Sequence, residues 1–332
     1  MAIGSGLGLT VGLGAETSYG VYAPATRWYP VENEKFDVER KFSEAKAIVG
    51  NSLVRQAPQT VLLTEMVKGS LKMPLVNSGI GLLLQSVLGG MGTPTQQATT
   101  PAYQTTGTIT STVGKSYSVQ IGRPQTSGTI TPFTYLGCKT TSIDLSIESG
   151  NVAELSLDFV GQTMVETEAL VAAVYPTPSP VVFSFQGSTL SAGVYGSETV
   201  MANVRKASVK VARKLDEERF YIGGNGLLAE PIENDFVDIT GELTADFTNT
   251  TDWDLWVNNA EQISLILKFV GQQIATGYNY TVELAIPVAQ IEGGDPEVSG
   301  PKIVERTVKF TGLNNNTVAP LTATVINTDT TL

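Results

Sequence analysis

Apolar and polar residues alternate along most of the chain, which is the pattern of β-strands with one buried face. Clusters of Gly, Asn, Pro and Thr separate the alternating segments and indicate turns. The pattern predicts strands in SIDLSIES (142–149), AELSLDFVG (153–161), ASVKVARKL (207–215), ISLILKFVG (263–271), YTVELAIPV (280–288) and ERTVKFTGL (305–313). We therefore expect a fold that is mainly β.

Two short segments depart from this alternation. Residues 77–90, NSGIGLLLQSVLGG, place Leu and Ile at helical spacing and end in Gly, the usual residue past a helix C-terminus. Residues 249–260, NTTDWDLWVNNA, begin with Asn, Thr and Asp cap candidates and place Trp253, Trp256 and Val257 on one helical face. Each segment predicts a short helix.

A nine-residue motif near the start of the chain returns near its middle, as VERKFSEAK (38–46) and VARKLDEER (211–219). Further pairs follow in the same order, namely GNSL (50–53) with GNGL (224–227), GSLKMPL (69–75) with GELTADF (241–247), and DFVG (158–161) with KFTG (309–312). The spacing between partners shifts strongly at one place only, the Thr/Gly/Pro-rich segment 91–114. Self-similarity in a fixed order indicates duplication. We predict two tandem modules, residues 1–165 and 166–332, each with a short flanking α-helix.

Charge and composition narrow the possible functions. The 332 residues include 32 acidic and 21 basic side chains, for a net charge of -11. Such a chain is not an electrostatic binder of nucleic acid, which requires clustered Lys and Arg. The sequence contains no His and a single Cys, Cys138. The commonest general base, an intrachain disulfide and a Cys-rich zinc site are therefore excluded.

No candidate catalytic constellation emerges from the remaining residues. The Gly-rich start, residues 4–14, lacks the preceding strand, the following helix and the Lys-Ser/Thr pair of a phosphate-binding loop. Acid pairs such as Asp144 and Glu148 are typical of a solvated strand face. We expect Cys138 to be a core residue, and we expect no catalytic site, metal or cofactor. The N-terminus lacks the charged region of a signal peptide and no apolar stretch is long enough for a membrane span.

Several segments together resemble the tail tube, or major tail, proteins of long-tailed bacteriophages. They are TVGLGAETSYGVYAPATRWYPVENEKFDVERK (10–41), GSLKMPLVNSGIGLLLQSVLGG (69–90), IDLSIESGNVAELSLDFVGQ (143–162), ITGELTADFTNTTDWDLWVNNAEQISLILKFVGQ (239–272) and PKIVERTVKFTGL (301–313). The resemblance covers roughly residues 9–315, and it rests on the order of the segments and on the hairpin at 143–162. It implies β-sandwich or barrel modules with a short helix, which close into rings around one continuous barrel.

The resemblance also implies a role and partners. Stacked rings would form the tail tube, the conduit for DNA ejection, in a virion assembled in the host cytoplasm. Tape-measure and tail-completion proteins would be partners, and the transiting DNA would not be bound specifically. With two modules per chain, three chains would complete a pseudo-hexameric ring. Six chains with the second module outside the ring would also fit.

Three polar segments are predicted to reach adjacent rings: the N-terminal arm 1–14, the insertion 91–114 and the C-terminal arm 314–332. A bore lined with carboxylates would repel DNA phosphates. The candidate lumen acids are Asp144, Glu148, Glu154, Asp158, Glu283, Glu292 and Glu305. Opposite charges in the repeated motif suit a seam between modules, for which the candidate residues are Arg40, Lys41, Arg213, Lys214, Glu217 and Glu218.

A rival interpretation is a carbohydrate- or ligand-binding β-sandwich, which would carry exposed aromatic residues on a loop. Tyr22, Trp28 and Tyr29 lie close together in the sequence, as do Tyr278 and Tyr280. These aromatic residues alternate as strand residues do, so they favour a strand over a binding loop. A hydrolase with a carboxylate pair is disfavoured, because no convergent acid cluster is evident.

Overall fold

A computed structural model of the chain describes residues 4–48, 50, 53–176, 180–248, 261–298 and 300–332. These residues are mainly β, and their one α-helix is α1, Ile80–Leu88. The strands are β1 (Thr10–Ala15), β2 (Arg27–Trp28), β3 (Asn33–Glu44), β4 (Thr60–Pro74), β5 (Gly89–Met91), β6 (Thr95–Gln96), β7 (Tyr103–Ile109), β8 (Tyr117–Pro124), β9 (Ile130–Glu148), β10 (Glu154–Gly161), β11 (Thr163–Val165), β12 (Ser188–Gly193), β13 (Thr199–Val200), β14 (Val204–Ala212), β15 (Asp238–Asp246), β16 (Ile263–Ala275), β17 (Tyr278–Glu292), β18 (Glu305–Gly312) and β19 (Thr322–Asn327).

The strand predictions are confirmed. The six alternating segments overlap β9, β10, β14, β16, β17 and β18. In β9, Ile143, Leu145 and Ile147 are buried, whereas Asp144 and the residues that alternate with it face away from the core. Period-two alternation therefore identified which face of each strand is covered.

Eight of the strands of the chain form one continuous antiparallel sheet, called here the central sheet. Its order is β3–β4–β10–β9–β14–β15–β18–β17. The first four strands come from residues 33–161 and the last four from residues 204–312. β9 and β14 join the two groups, with Ile143 opposite Val211 and Ile147 opposite Ala207.

The long strands β9 and β17 each continue beyond the central sheet. The N-terminal part of β9 pairs with β8 and β11, and β8 pairs in turn with β1. The N-terminal part of β17 pairs with β16 and β19, and β16 pairs in turn with β12. On the far side of β19 lies β7, which comes from the sequence insertion 91–114.

One hydrophobic core runs through both halves of the chain, residues 1–165 and 166–332. The predicted helix at 77–90 is confirmed as α1, and nearly all of its side chains are buried. Leu84 and Leu88 of α1 line the same apolar cavity as Ile143, Val209 and Leu284. Because these strand residues come from both halves, α1 packs at the centre of the shared core.

The three segments predicted to reach adjacent rings each contain part of a strand of this chain. These strands are β1 at the end of the N-terminal arm, β7 in the insertion and β19 in the C-terminal arm. In the Thr-rich stretch TATVIN, Ala323 and Val325 are buried and the Thr residues beside them are only partly buried, so this stretch has the alternation of a strand. The helix predicted at 249–260 lies outside the described residues.

Candidate assembly surface

One face of the central sheet packs on the core, and the other face carries charged and hydroxyl side chains. We call this second side the polar face. Its acidic residues are Asp37, Glu39, Asp144, Glu148, Glu154, Asp158, Asp238, Glu242, Asp246, Glu292 and Glu305. Its lysines are Lys35, Lys41, Lys68, Lys72, Lys206, Lys210 and Lys309. Acidic side chains therefore outnumber lysines on a surface that extends across both halves.

Six of the seven candidate lumen acids lie on this polar face. Glu154 pairs with Lys72 at 2.8 Å across the β10–β4 ladder. Asp158 accepts a hydrogen bond from the Ser142 hydroxyl at 2.7 Å, and Glu292 accepts one from Thr311 at 2.7 Å. The carboxylates are thus interleaved with donors on neighbouring strands rather than grouped as a bare acidic cluster.

Asp144 lies near the middle of the polar face, opposite Lys210 of β14. Burial raises the pKa of the Asp144 carboxyl, and the positive charges of Lys210 and Lys206 only partly offset this effect. Glu148 is exposed at the end of β9, opposite Lys206. Glu305 begins β18 and pairs with Arg205 at 3.2 Å.

Glu283 lies apart from the other candidate lumen acids. It belongs to the part of β17 that pairs with β16 and β19, and its carboxylate pairs with Lys268 of β16 at 2.9 Å. The alternation in YTVELAIPV identified Glu283 as a polar-side residue. It gave no sign that β17 changes partners along its length.

Sequence analysis missed five acids of the polar face, namely Asp37, Glu39, Asp238, Glu242 and Asp246. The signal was present, because Asp37 and Glu39 alternate with Phe36 and Val38 in the repeated motif. Of the lysines on the same face, only Lys41 was singled out from the sequence, as a seam candidate; the others were missed.

The β9–β14 ladder is a seam between the two halves within one chain. Seven residue pairs from Lys206–Glu148 to Ala212–Ser142 are in antiparallel register. Two further backbone bonds extend it, from Arg213 N to Thr141 O and from Ser149 N to Arg205 O, each at 2.7 Å. Across the seam, Lys206 and Lys210 face Glu148 and Asp144, so the pairing is also complementary in charge.

Arg213 follows β14 and is 4% exposed. Its guanidinium donates to the carbonyls of Val87 and Leu88 at the C-terminal end of α1, and to Thr110 O at 2.6 Å. It also pairs with Glu233 at 2.9 Å. A cation at this end of a helix satisfies free carbonyls and complements the helix dipole. Arg213 therefore ties the second half of the chain to the helix of the first.

Glu233 is held by several donors besides Arg213. Partial burial alone would raise the pKa of its carboxyl, but hydrogen bonds from the Thr112 N–H and hydroxyl, together with Arg213, lower it to about 2. Nearby, Lys139 is 2% exposed and pairs with Glu230 at 2.6 Å. Burial lowers the pKa of Lys139, and Glu230 opposes this shift.

The other seam candidates have different surroundings. Arg40 is half-exposed and pairs with Glu65 of the neighbouring strand β4 at 2.8 Å, and Lys41 is exposed beside it. Lys214 pairs with Asp238 at 3.0 Å. Glu217 reaches Lys68 of the first half at 3.2 Å, and its charge raises the pKa of that lysine. The Glu218 backbone N–H donates to Asp216. Arg40 and Glu217 thus occupy separate ion pairs in the chain.

The five aromatic residues considered for a binding loop do not form an exposed platform. Tyr29 is 1% exposed and donates its hydroxyl to Gly79 O at 3.0 Å. Tyr22, Trp28, Tyr278 and Tyr280 are only partly exposed. Cys138 is fully buried, and burial raises the pKa of its thiol. Within the described ranges, no group of Cys, Asp and Glu side chains is arranged to hold a metal ion.

The fold and the polar face define a class of protein: a mainly β protein built around one large antiparallel sheet. Among the described residues, no helix is long and apolar enough to cross a membrane. The family model of the phage tail tube protein matches residues 6–312. The chain belongs to this family. It is a structural component of the phage tail, and proteins of this family assemble into tubes. No curated protein matches the chain.

Proposed function

We propose that the chain contains two tandem tail-tube modules and that three chains close into a pseudo-hexameric ring. The ring would stack with others to form the tube through which DNA is ejected. The observation that carries this proposal is the order of the central sheet. β3–β4–β10–β9 of the first half and β14–β15–β18–β17 of the second show the same pattern, in which the first two and the last two strands of each set are consecutive in the chain.

The intrachain seam supplies a template for the joint between chains. Since β14 corresponds to β3 and β9 to β17, the β9–β14 ladder has a counterpart between β17 of one chain and β3 of the next. Among the described residues, β3 pairs with β4 only, which leaves its other edge open. An open strand edge favours pairing with another chain, and ring closure would pair both outer edges of the central sheet. Three eight-stranded central sheets would give a barrel of 24 strands.

The continuity of the polar face favours three chains over six with the second module outside. Both halves contribute four strands to the same face, so both would line one bore. The core and α1 would lie on the outer side of the barrel. Tape-measure and tail-completion proteins would then meet this face or the ends of the tube, and assembly would take place in the host cytoplasm.

A mixed but net acidic bore suits the passage of DNA. Lysines such as Lys72 are paired with carboxylates such as Glu154 on the next strand, so their charge is locally compensated. Phosphates would meet a weakly repulsive surface and would gain little from counterion release. DNA would therefore move through the bore without being retained.

Electron microscopy of purified protein tests the ring. We expect rings or tubes with three chains per ring, counted by native mass spectrometry of single rings and by symmetry of the images. Six chains per ring, with the second half outside the barrel, would refute the trimeric arrangement. A chain that stays monomeric under all conditions and is stabilised by sugars would refute the structural role.

Charge reversal tests the bore. We expect Glu148→Lys, Glu154→Lys and Asp158→Lys, combined in one chain, to leave tubes intact and to reduce DNA delivery, measured as plaque-forming titre per particle. Glu283→Lys is the matched control, because it reverses a strand carboxylate outside the central sheet. An unchanged titre for the triple variant would show that these acids do not line the path.

A further inference from the structure

Two loops connect equivalent strand pairs, and they have different surroundings. We call residues 45–59, which join β3 to β4, the first arm, and residues 213–237, which join β14 to β15, the second arm. Both are distinct from the N-terminal and C-terminal arms, residues 1–14 and 314–332. The second arm crosses the β9–β14 seam and packs on the first half of its own chain. Its Gly226 carbonyl accepts a hydrogen bond from Glu65 N at 2.9 Å. Leu228, beside it, is fully buried and accepts at its carbonyl from Gln162.

The first arm exposes the apolar side chains at the corresponding positions. The match of GNSL with GNGL places Leu53 opposite Leu227 and Val54 opposite Leu228. Leu53 is 105% exposed and Val54 is 78% exposed, and Ile48 of the same arm is 99% exposed. Three strongly exposed aliphatic side chains on one connection between strands favour an interaction surface.

The second arm also shows where the first arm would land. Gly226 and Leu227 meet β4 at Glu65, at the base of the first arm. The match of GSLKMPL with GELTADF places Glu65 opposite Val237, at the base of the second arm. Phe236, next to Val237, is 87% exposed. An exposed aromatic ring is thus present where the arm of a second copy would arrive.

Charge at the two sites is complementary. The first arm carries Lys46 and Arg55 and no acidic residue, although Arg55 already pairs with Glu44 at the end of β3 at 2.6 Å. Phe236 is flanked by the carboxylates of Asp235 and Asp238, and Lys214 is the cation that pairs with both. The second arm as a whole is strongly acidic. A basic, apolar arm therefore fits an acidic, apolar base.

We propose that the first arm of each chain packs on the base of the second arm of the next chain in the same ring, with Leu53 and Val54 against Phe236 and Val237. The proposal rests on the ring described above, because it uses the same relation between equivalent halves. It assigns the exposed arm to contacts within a ring rather than between stacked rings. Each seam of the ring would then be crossed by one arm, alternately from the same chain and from a neighbour.

Cross-linking of assembled tubes tests the contact. In the chain with Leu53→Cys and Phe236→Cys, the native thiol of Cys138 is buried and does not compete. A short bis-maleimide applied to tubes is expected to give dimers and trimers in denaturing gels, with a ladder that stops at three chains. Tubes that yield no cross-linked product, or a ladder that continues beyond three, would overturn the proposal. The continuing ladder would show that the arm bridges adjacent rings.

A second measurement removes the apolar contact. The variant Leu53→Asp with Val54→Asp is expected to remain a folded monomer with unchanged Tm and to lose tube formation, with a critical concentration raised on the order of tenfold or more. Val194→Asp is the matched control, since Val194 is 70% exposed outside both arms. Normal assembly of the double variant would contradict the proposal. If the unmodified chain forms no rings, the proposed function itself fails, whereas tubes without the arm contact refute this inference alone.

Discussion

Replacing Arg213 by Ala is expected to destabilise the folded chain strongly. Arg213 is 4% exposed and donates to three carbonyls, two of them at the end of α1, while it also pairs with Glu233. The substitution leaves these acceptors without their donor inside the core. Removing one partner of a buried pair costs about 3–5 kcal/mol, and we expect a loss of that size in the free energy of unfolding.

Arg40→Ala is the matched control, because Arg40 occupies the equivalent place in the repeated motif. It is half-exposed and has one ion-pair partner, Glu65. Exposed pairs contribute about 0–1 kcal/mol, so we expect a small effect on the isolated chain. The two arginines occupy the same place in the motif, but their different burial predicts very different losses of stability.

Urea unfolding of the gel-filtered monomer, followed by tryptophan fluorescence, measures both variants. With a slope of about 3 kcal/mol per M, the midpoint should fall by roughly 1–1.7 M for Arg213→Ala and by less than about 0.3 M for Arg40→Ala. Equal shifts for the two variants, or a loss below about 1 kcal/mol for Arg213→Ala, would refute the role of Arg213 as a buried tie between halves.

Two further predictions concern the same region. Gly89→Ala should lower Tm more than Gly150→Ala. Both glycines have positive φ, for which the penalty on an Ala is about 1–2 kcal/mol, but only a Cβ on Gly89 would also lie 2.6 Å from Thr110 O. Equal Tm losses would contradict the steric argument. The pKa of Glu233 falls from its usual 4.5 to about 2 on folding, so its stabilising effect is present above pH 4.5 and is lost as pH falls towards 2. Glu233→Gln should therefore lessen the acid sensitivity of Tm in that window, and an unchanged pH profile would show that Glu233 does not contribute.

Alternation and helical spacing predicted much of the fold from sequence. They identified β9, β10, β14, β16, β17 and β18, and α1 with its terminal Gly. They predicted the buried face of each strand because one face of the central sheet lies on the core and the other does not. The short strands β7 and β19 were missed, since Thr at alternate positions resembles a polar loop until a neighbouring strand covers it.

The polar face could be predicted only in part. Alternation indicates that a residue such as Glu283 points away from the core, but strand pairing decides which surface it reaches. The repeated motif indicated equivalent strands, yet Arg213 is buried and Arg40 is not. The difference arises because Arg213 has the helix of the other half beside it, and no local pattern encodes that neighbour.

The β9–β14 seam has a kinetic consequence for the proposed ring. Half of the six seams are formed within chains, where the peptide linkage keeps both strands at a high effective concentration. They can form during folding at any dilution, and they cannot be lost by dissociation of a subunit. Ring closure then requires three encounters instead of six, with fewer partly closed intermediates exposing strand edges to incorrect partners. Duplication within the chain would in this way require a longer gene but reduce errors during assembly.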